Sequence, residues 1–236
     1  MKTKDKIILA SCELFNQHGE RAITTNHIAA HLGISPGNLY YHFRNKEDII
    51  RSIYSEYESY ILEAFRPYDV ESESDLGFMV RYLDGMFKVM WRYRFFYANL
   101  ADILNRDQEL RKRYIEVQKK MDVQSSSALR ILRDNGTVVL ADIYIADLAQ
   151  TLKMIITCWI GFQSAQKVDG NLSKDEIYQG VLRVLTTFRG YISEKARPEF
   201  DRIEAQYRQL LKQVESRSEA SMADESLLDT LKPSDQ

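Results

Sequence analysis

Cysteine and long apolar runs are both scarce in this chain, and each scarcity removes a class of protein. Its 236 residues include two cysteines, Cys12 and Cys158, too few and too far apart for a disulfide framework. A reducing cytoplasm is therefore the expected setting. No stretch approaches the ~18 uninterrupted apolar residues of a membrane-spanning helix. Met1 to Cys12 has the outline of an exported lipoprotein leader, but its apolar run, Ile7 to Ala10, is four residues long. An export signal needs roughly 7–15. The same letters place Ile7, Ala10, Leu14 and Phe15 on one side of a helix.

An excess of one charge is missing too. The 32 Lys and Arg nearly balance the 34 Asp and Glu, a formal net charge of −2, so overall charge does not advertise nucleic acid. By segment, residues 1–51 carry seven basic against five acidic side chains, and residues 215–236 carry two against six. Alternating strand patterns are absent apart from Thr137–Leu140, which is too short to pair alone. Most of the ten glycines sit at predicted helix ends. No phosphate-cradling glycine loop, Gly-x-Ser-x-Gly or His-Glu-x-x-His occurs, so the chain lacks the marks of an enzyme and requires no cofactor. His27 and His31, four apart, have the spacing of a metal pair, but no Cys, Asp or Glu at a matching spacing completes a site, and no metal is expected.

What the chain does contain is helical periodicity. The clearest local signals lie between Thr24 and Lys46. Thr24 can cap a short helix whose apolar side is Ile28, Ala29 and Leu32. Gly33 follows where a left-handed residue would end it. Ser35 caps a second helix, and Pro36 sits at its first position, where a missing N–H costs nothing. Leu39 and Phe43, four apart, face inward; Pro36, Gly37, Asn38, Tyr41 and His42 point outward. A short helix with an outward row of small, amide, phenol and imidazole groups suits a DNA major groove. The pattern is a helix-turn-helix.

The run Gly33-Ile34-Ser35-Pro36-Gly37-Asn38-Leu39-Tyr40-Tyr41-His42-Phe43, then Lys46, resembles the signature of TetR-type transcriptional repressors. The likeness extends upstream through Ala10, Leu14, Phe15, Gly19, Thr24, Ile28 and Ala29 and covers roughly the first fifty residues, the size of a small DNA-reading module. One departure is His27, where an acidic residue is common, so a reciprocal capping box is not expected there. The resemblance implies double-stranded DNA as partner. Thr24, Tyr40, His42 and Lys46 would contact phosphates, and Pro36, Gly37, Asn38 and Tyr41 would reach base edges. Lys2, Lys4 and Lys6 can also approach the backbone.

The rest reads as an all-α body, for about ten helices in total. The expected division is a helix-turn-helix domain over 1–47 and a body over 48–197. An amphipathic helix over 198–214 and a disordered acidic tail over 215–236 would follow. Helices are expected near 46–66, 76–91, 93–104, 107–133, 143–167 and 174–195, with turns at Asn135-Gly136 and Asp169–Asn171. In TetR-like proteins the last two body helices form a four-helix bundle with a second copy. That implies a homodimer on a pseudo-palindromic operator, with Ile155, Trp159, Phe162, Val181, Leu185 and Phe188 at the interface. The family's body also encloses a pocket, and flexible Met beside rigid aromatics suits a small, mainly hydrophobic effector. Phe87, Met90, Trp91, Tyr97, Tyr114, Met121 and Trp159 are the expected lining. Phe200, Ile203, Tyr207, Leu210 and Val214 recur at coiled-coil spacing, which leaves a second reading, an adaptor that binds another protein through this helix.

Overall fold

The computed structural model of the chain describes residues 1–69, 71, 74–167 and 172–230, with side chains to Ser216. Eleven α-helices and one 3-10 turn appear among the described residues, with no strand. The first three, α1 (Thr3–His18), α2 (Thr25–His31) and α3 (Pro36–His42), form the amino-terminal head. The helix α4 (Lys46–Ala64) leads from the head into the body. There α5 (Asp75–Arg92), α6 (Arg94–Ala98), α7 (Leu100–Arg106), α8 (Gln108–Asp134), α9 (Ile145–Ser164) and α10 (Lys174–Arg189) pack together. The last helix, α11, spans Arg197–Thr230.

One apolar core joins head to body, from Ile7 and Phe15 through Ile49, Ile53 and Tyr57 to Met86, Leu129 and Leu185. The single helix expected over 93–104 is two, broken at Asn99. Asn99 ends α6 by giving both its backbone N–H (3.2 Å) and its side-chain amide (3.0 Å) to Phe95 O. Thr137–Leu140 makes one antiparallel bridge, Val138 to Ile192, with Val139 N–H donating to Tyr191 O at 2.7 Å. The expected turn at Asp169–Asn171 lies outside the described residues.

Charged clasps tie the helices together. Arg51 of α4 forks onto Asp107, the N-cap of α8, with bonds of 2.6 and 3.1 Å. Burial pushes the Asp107 carboxyl up, but the Arg51 guanidinium and the Leu110 N–H outweigh it and hold it below the ordinary carboxylate range. Tyr68, Asn135 and Thr137 all donate to Asp75 at the start of α5 and fasten it to the end of α8. Burial pushes the Cys12 thiol up to about 12, so it stays protonated and unreactive.

The carboxy-terminal helix differs from expectation at its far end. Its seam lies on its own body, against α10 and α5, with Phe200, Ile203 and Tyr207 buried and Tyr207 OH donating to Asp84 at 2.6 Å. Leu210 falls outside that seam at 39% exposed. The acidic stretch expected to be disordered from 215 is helical as far as Thr230. The physical reason is composition: between Glu215 and Thr230 there is no Pro or Gly, while Ala, Glu, Met and Leu favour helix.

The segment Asp142–Ser164, which includes α9, is long and apolar enough to cross a membrane by length and composition, with a mean hydropathy of 1.3. Asp147 and Lys153 interrupt it, and it packs against α6, α8 and α10. Its outer row, Met154, Cys158 and Phe162, is exposed on the single chain.

Candidate nucleic-acid interface

The head is assembled by short-range chemistry. Thr24 Oγ1 accepts the His27 N–H at 3.3 Å, and His27 Nδ1 accepts the Thr24 N–H at 3.4 Å. A capping box therefore does form, which corrects the sequence expectation. A neutral imidazole has one lone-pair nitrogen and so replaces the acidic side chain as acceptor. Gly33 sits at φ +64°, a conformation that favours glycine. Ser35 accepts from Asn38 N–H at 3.2 Å, and Pro36 opens α3.

Beneath the outer surface, Ile28 and Leu39 are fully buried and Ala29 and Phe43 nearly so. These four fix how α3 lies on α2. Pro36, Gly37, Asn38 and Tyr41 are all exposed on α3, and Tyr41 stands out at 85%. The expected base-reading row thus shares one open face.

The expected phosphate set divides. Tyr40 OH lies 3.0 Å from Thr25 Oγ1, so the first turn of α2 steadies the phenol. Thr24 is exposed, and while its oxygen caps α2 its own hydroxyl hydrogen stays available to an acceptor. His42 is half-buried, with its ring edge-on to Tyr41 at 5.1 Å. Lys46 is turned inward. Its ammonium lies 2.9 Å from Glu20 O, 3.2 Å from Ile23 O and 2.8 Å from Glu20 Oε1. The last contact is an ion pair without the directionality of a hydrogen bond.

Glu20, which sequence reasoning passed over, is the hub of the joint between head and body. Its side chain is fully buried and pairs with Lys46 of α4 and with Arg106 of α7, the latter at 2.7 Å. Arg106 also reaches Asp102 at 3.2 Å, and Arg21 meets the same carboxylate at 2.5 Å. Asn16 adds a second tie, donating to Arg92 O (2.8 Å) and accepting from Phe95 N–H (3.0 Å).

The residues expected at the dimer interface also divide. Val181, Leu185 and Phe188 are buried in the core of their own chain and cannot face a second copy. They form the one apolar stripe of α10, which α5, α9 and α11 cover. Phe162 is 58% exposed, and Ile155 and Trp159 are half-buried beside it. Met154 and Cys158 belong to the same exposed outer row.

Of the seven expected pocket residues, Tyr97 and Met121 line a cavity of about 40 Å³, together with Tyr57 and Lys153. The other five do not line it. Met90 is fully buried, Phe87 stacks on Tyr178 at 4.3 Å, and Trp91 lies under Arg94 at 4.2 Å. Tyr114 packs on Phe96 at 6.2 Å, and Trp159 donates to Glu176 O at 2.6 Å. A neighbouring cavity of about 70 Å³ is walled by Phe78, Leu83, Leu129, Leu132 and Phe188. Among the described residues no three of His, Cys, Asp and Glu gather as a metal site.

Known proteins share this arrangement. The family model for bacterial regulatory proteins of the tetR family matches residues 7–53, and the TetR model described as a bacterial transcriptional repressor matches residues 56–200. A TetR-family transcriptional regulator from Marinobacter aquaeolei has a similar structure, with a TM-score of 0.76 and 38% identity over 88% of this chain and 99% of that one. The HTH-type regulator QacR of Staphylococcus aureus is 36% identical over 75 residues, 32% of this chain and 40% of that protein. The biofilm operon negative regulator IcaR of Staphylococcus epidermidis is 24% identical over 136 residues, 58% of this chain and 64% of that protein. The matches thus span less than two thirds of either curated relative. With the head matched by one family model and most of the body by the other, the chain belongs to the TetR family of DNA-binding transcriptional regulators.

Proposed function

We propose that the chain acts as a homodimeric repressor, released from a pseudo-palindromic operator when a small, mainly hydrophobic effector enters the body. The observation that carries the DNA half is the open face of α3, where Pro36, Gly37, Asn38 and Tyr41 stand over buried Leu39 and Phe43. Gly37 permits close approach, Asn38 can both donate and accept at adenine, and Tyr41 can meet a thymine methyl group. Thr24, Tyr40 and His42 would hold the flanking phosphates. The exposed row Met154, Cys158 and Phe162 on α9 supports a second copy as partner. Two reading heads would then enter successive major grooves about 34–36 Å apart.

Effector release has a physical basis in the size of the cavities, about 70 and 40 Å³. A pocket for a drug-sized ligand needs about 300 Å³ or more. An effector of that size must therefore favour a more open body, and only such unequal affinity shifts the dimer away from its operator-binding form. The adaptor reading is the weaker one, because α11 lays Phe200, Ile203 and Tyr207 on its own body.

Two substitutions test the DNA roles in a mobility-shift assay. Asn38→Ala is expected to change the preferred sequence by about 1–3 kcal/mol at one base pair. Lys46→Ala is expected to weaken binding with the salt dependence retained, because its charge faces Glu20. A direct phosphate contact would instead lower the slope of log K against log salt by about one.

A further inference from the structure

The chemistry of the two cavities narrows the effector further, an inference that rests on the body being the effector site. The cavities share a wall made by Tyr82, Ser125 and Ile156, so a slim molecule that moves Tyr82 aside spans both. The larger is lined almost wholly by carbon; Tyr82 and Ser125 are its polar side chains. The smaller is bordered by Tyr57, Tyr97, Gln118, Thr157 and Lys153.

Its phenols carry one hydrogen too many. Tyr57 OH and Tyr97 OH lie 3.2 Å apart, and the bond between them uses one of their two hydroxyl hydrogens. Among the described residues neither hydroxyl has another hydrogen-bond partner, so a buried donor remains without a protein acceptor there. Burial pushes both phenols above their ordinary range, which keeps them as donors. Lys153 supplies a cation at the same wall. Its partner Asp122 is 45% exposed, against 25% for Lys153, so the aspartate can turn to water while the ammonium stays at the cavity. Among the described residues no carboxylate lines either cavity.

We infer that the effector is an aliphatic acid. Its carboxylate accepts the free hydrogen of the Tyr57–Tyr97 pair and an N–H of Lys153, and its unbranched chain passes Tyr82 into the apolar cavity.

Calorimetry on the full chain, with decanoate, 1-decanol and decylamine held below their micellar concentrations, tests this without DNA. Decanoate is expected to bind at least tenfold more tightly than 1-decanol, with decylamine weakest. The double variant Tyr57→Phe, Tyr97→Phe, which leaves no hydroxyl hydrogen in the pair, and separately Lys153→Met, should each weaken decanoate binding about tenfold, and Lys153→Arg should restore most of it; thermal melting of each variant checks that it is folded. Equal affinity for decanoate and 1-decanol would overturn the acid and leave a neutral apolar effector. Decanoate binding indifferent to both substitutions, or no binding by any of the three, would overturn the inference as well. Because the readout is direct ligand binding, failure here is distinct from failure to bind an operator, which would strike the regulator reading instead.

Discussion

Replacing Glu20 with alanine is expected to cost about 3 kcal/mol of stability and to weaken DNA binding together with it. The carboxylate is fully buried, and it is the shared counter-charge of Lys46 and Arg106 at 2.8 and 2.7 Å. Removing one member of a buried ion pair typically costs about 3–5 kcal/mol, because the remaining charge has no compensation. The lower end applies, since Lys46 is 20% and Arg106 34% exposed and water can partly solvate both. For a chain of this length the loss corresponds to a fall in Tm of about 6–12 °C. The effect on DNA arises because Lys46 Nζ also holds the carbonyls of Glu20 and Ile23, which set the turn leading into α2. A double-mutant cycle with Arg106→Ala should show strong coupling. A loss below about 1 kcal/mol would mean that the joint is held mainly by the apolar contacts of Phe15 and Phe95, whose rings lie 5.3 Å apart.

Gly180→Val should damage the pairing of α9 with α10 nearly as severely. Glycine in the middle of a helix is normally a weakness, and replacing it often gains about 1 kcal/mol of helix propensity. Here the sign is reversed. A Cβ at position 180 would sit 2.5 Å from Trp159 Cδ1 and 2.8 Å from its Nε1. The indole is rigid and fastened to Glu176 O by a 2.6 Å hydrogen bond, so it cannot step aside cheaply. Overpacking of this kind costs about 1–3 kcal/mol, and the branched side chain of valine places the substitution near the top of that range. Urea unfolding measures the loss, and gel filtration its effect on the proposed dimer, since Trp159 lies beside the outer α9 row, with Phe162 5.9 Å away. A variant as stable as the parent would show that α9 and α10 can separate without penalty.

The parts legible in the sequence were those encoded by neighbours in the chain. The caps Thr24 and Ser35, the left-handed Gly33 and the proline-led α3 each depend on residues within four positions. Leu39 and Phe43 then followed from helical spacing alone. The proposed dimer face is less legible, because periodicity reveals an apolar stripe and not what covers it. Val181, Leu185 and Phe188 make an ideal stripe that their own chain buries, while Met154 and Phe162 on the more evenly apolar α9 are left open. Glu20 gave no local sign at all, since Arg106 lies 86 residues away in sequence. Gly180 did offer a signal, a glycine inside a helical pattern, where the lost helix propensity needs a compensating reason such as close packing. The length of α11 follows from the absence of helix breakers between 215 and 230, which outweighs the net acidity of that stretch.

The central claim is that two copies of the α3 face read one DNA site together. Genomic fragments retained by the purified protein, sequenced and then footprinted, test it most directly. The account predicts two inverted half-sites whose centres lie about 34–36 Å apart along the helix axis, protected together and lost together when Asn38 and Tyr40 are replaced. Retention of fragments with no shared sequence, or protection of one isolated half-site by a single copy, would contradict it.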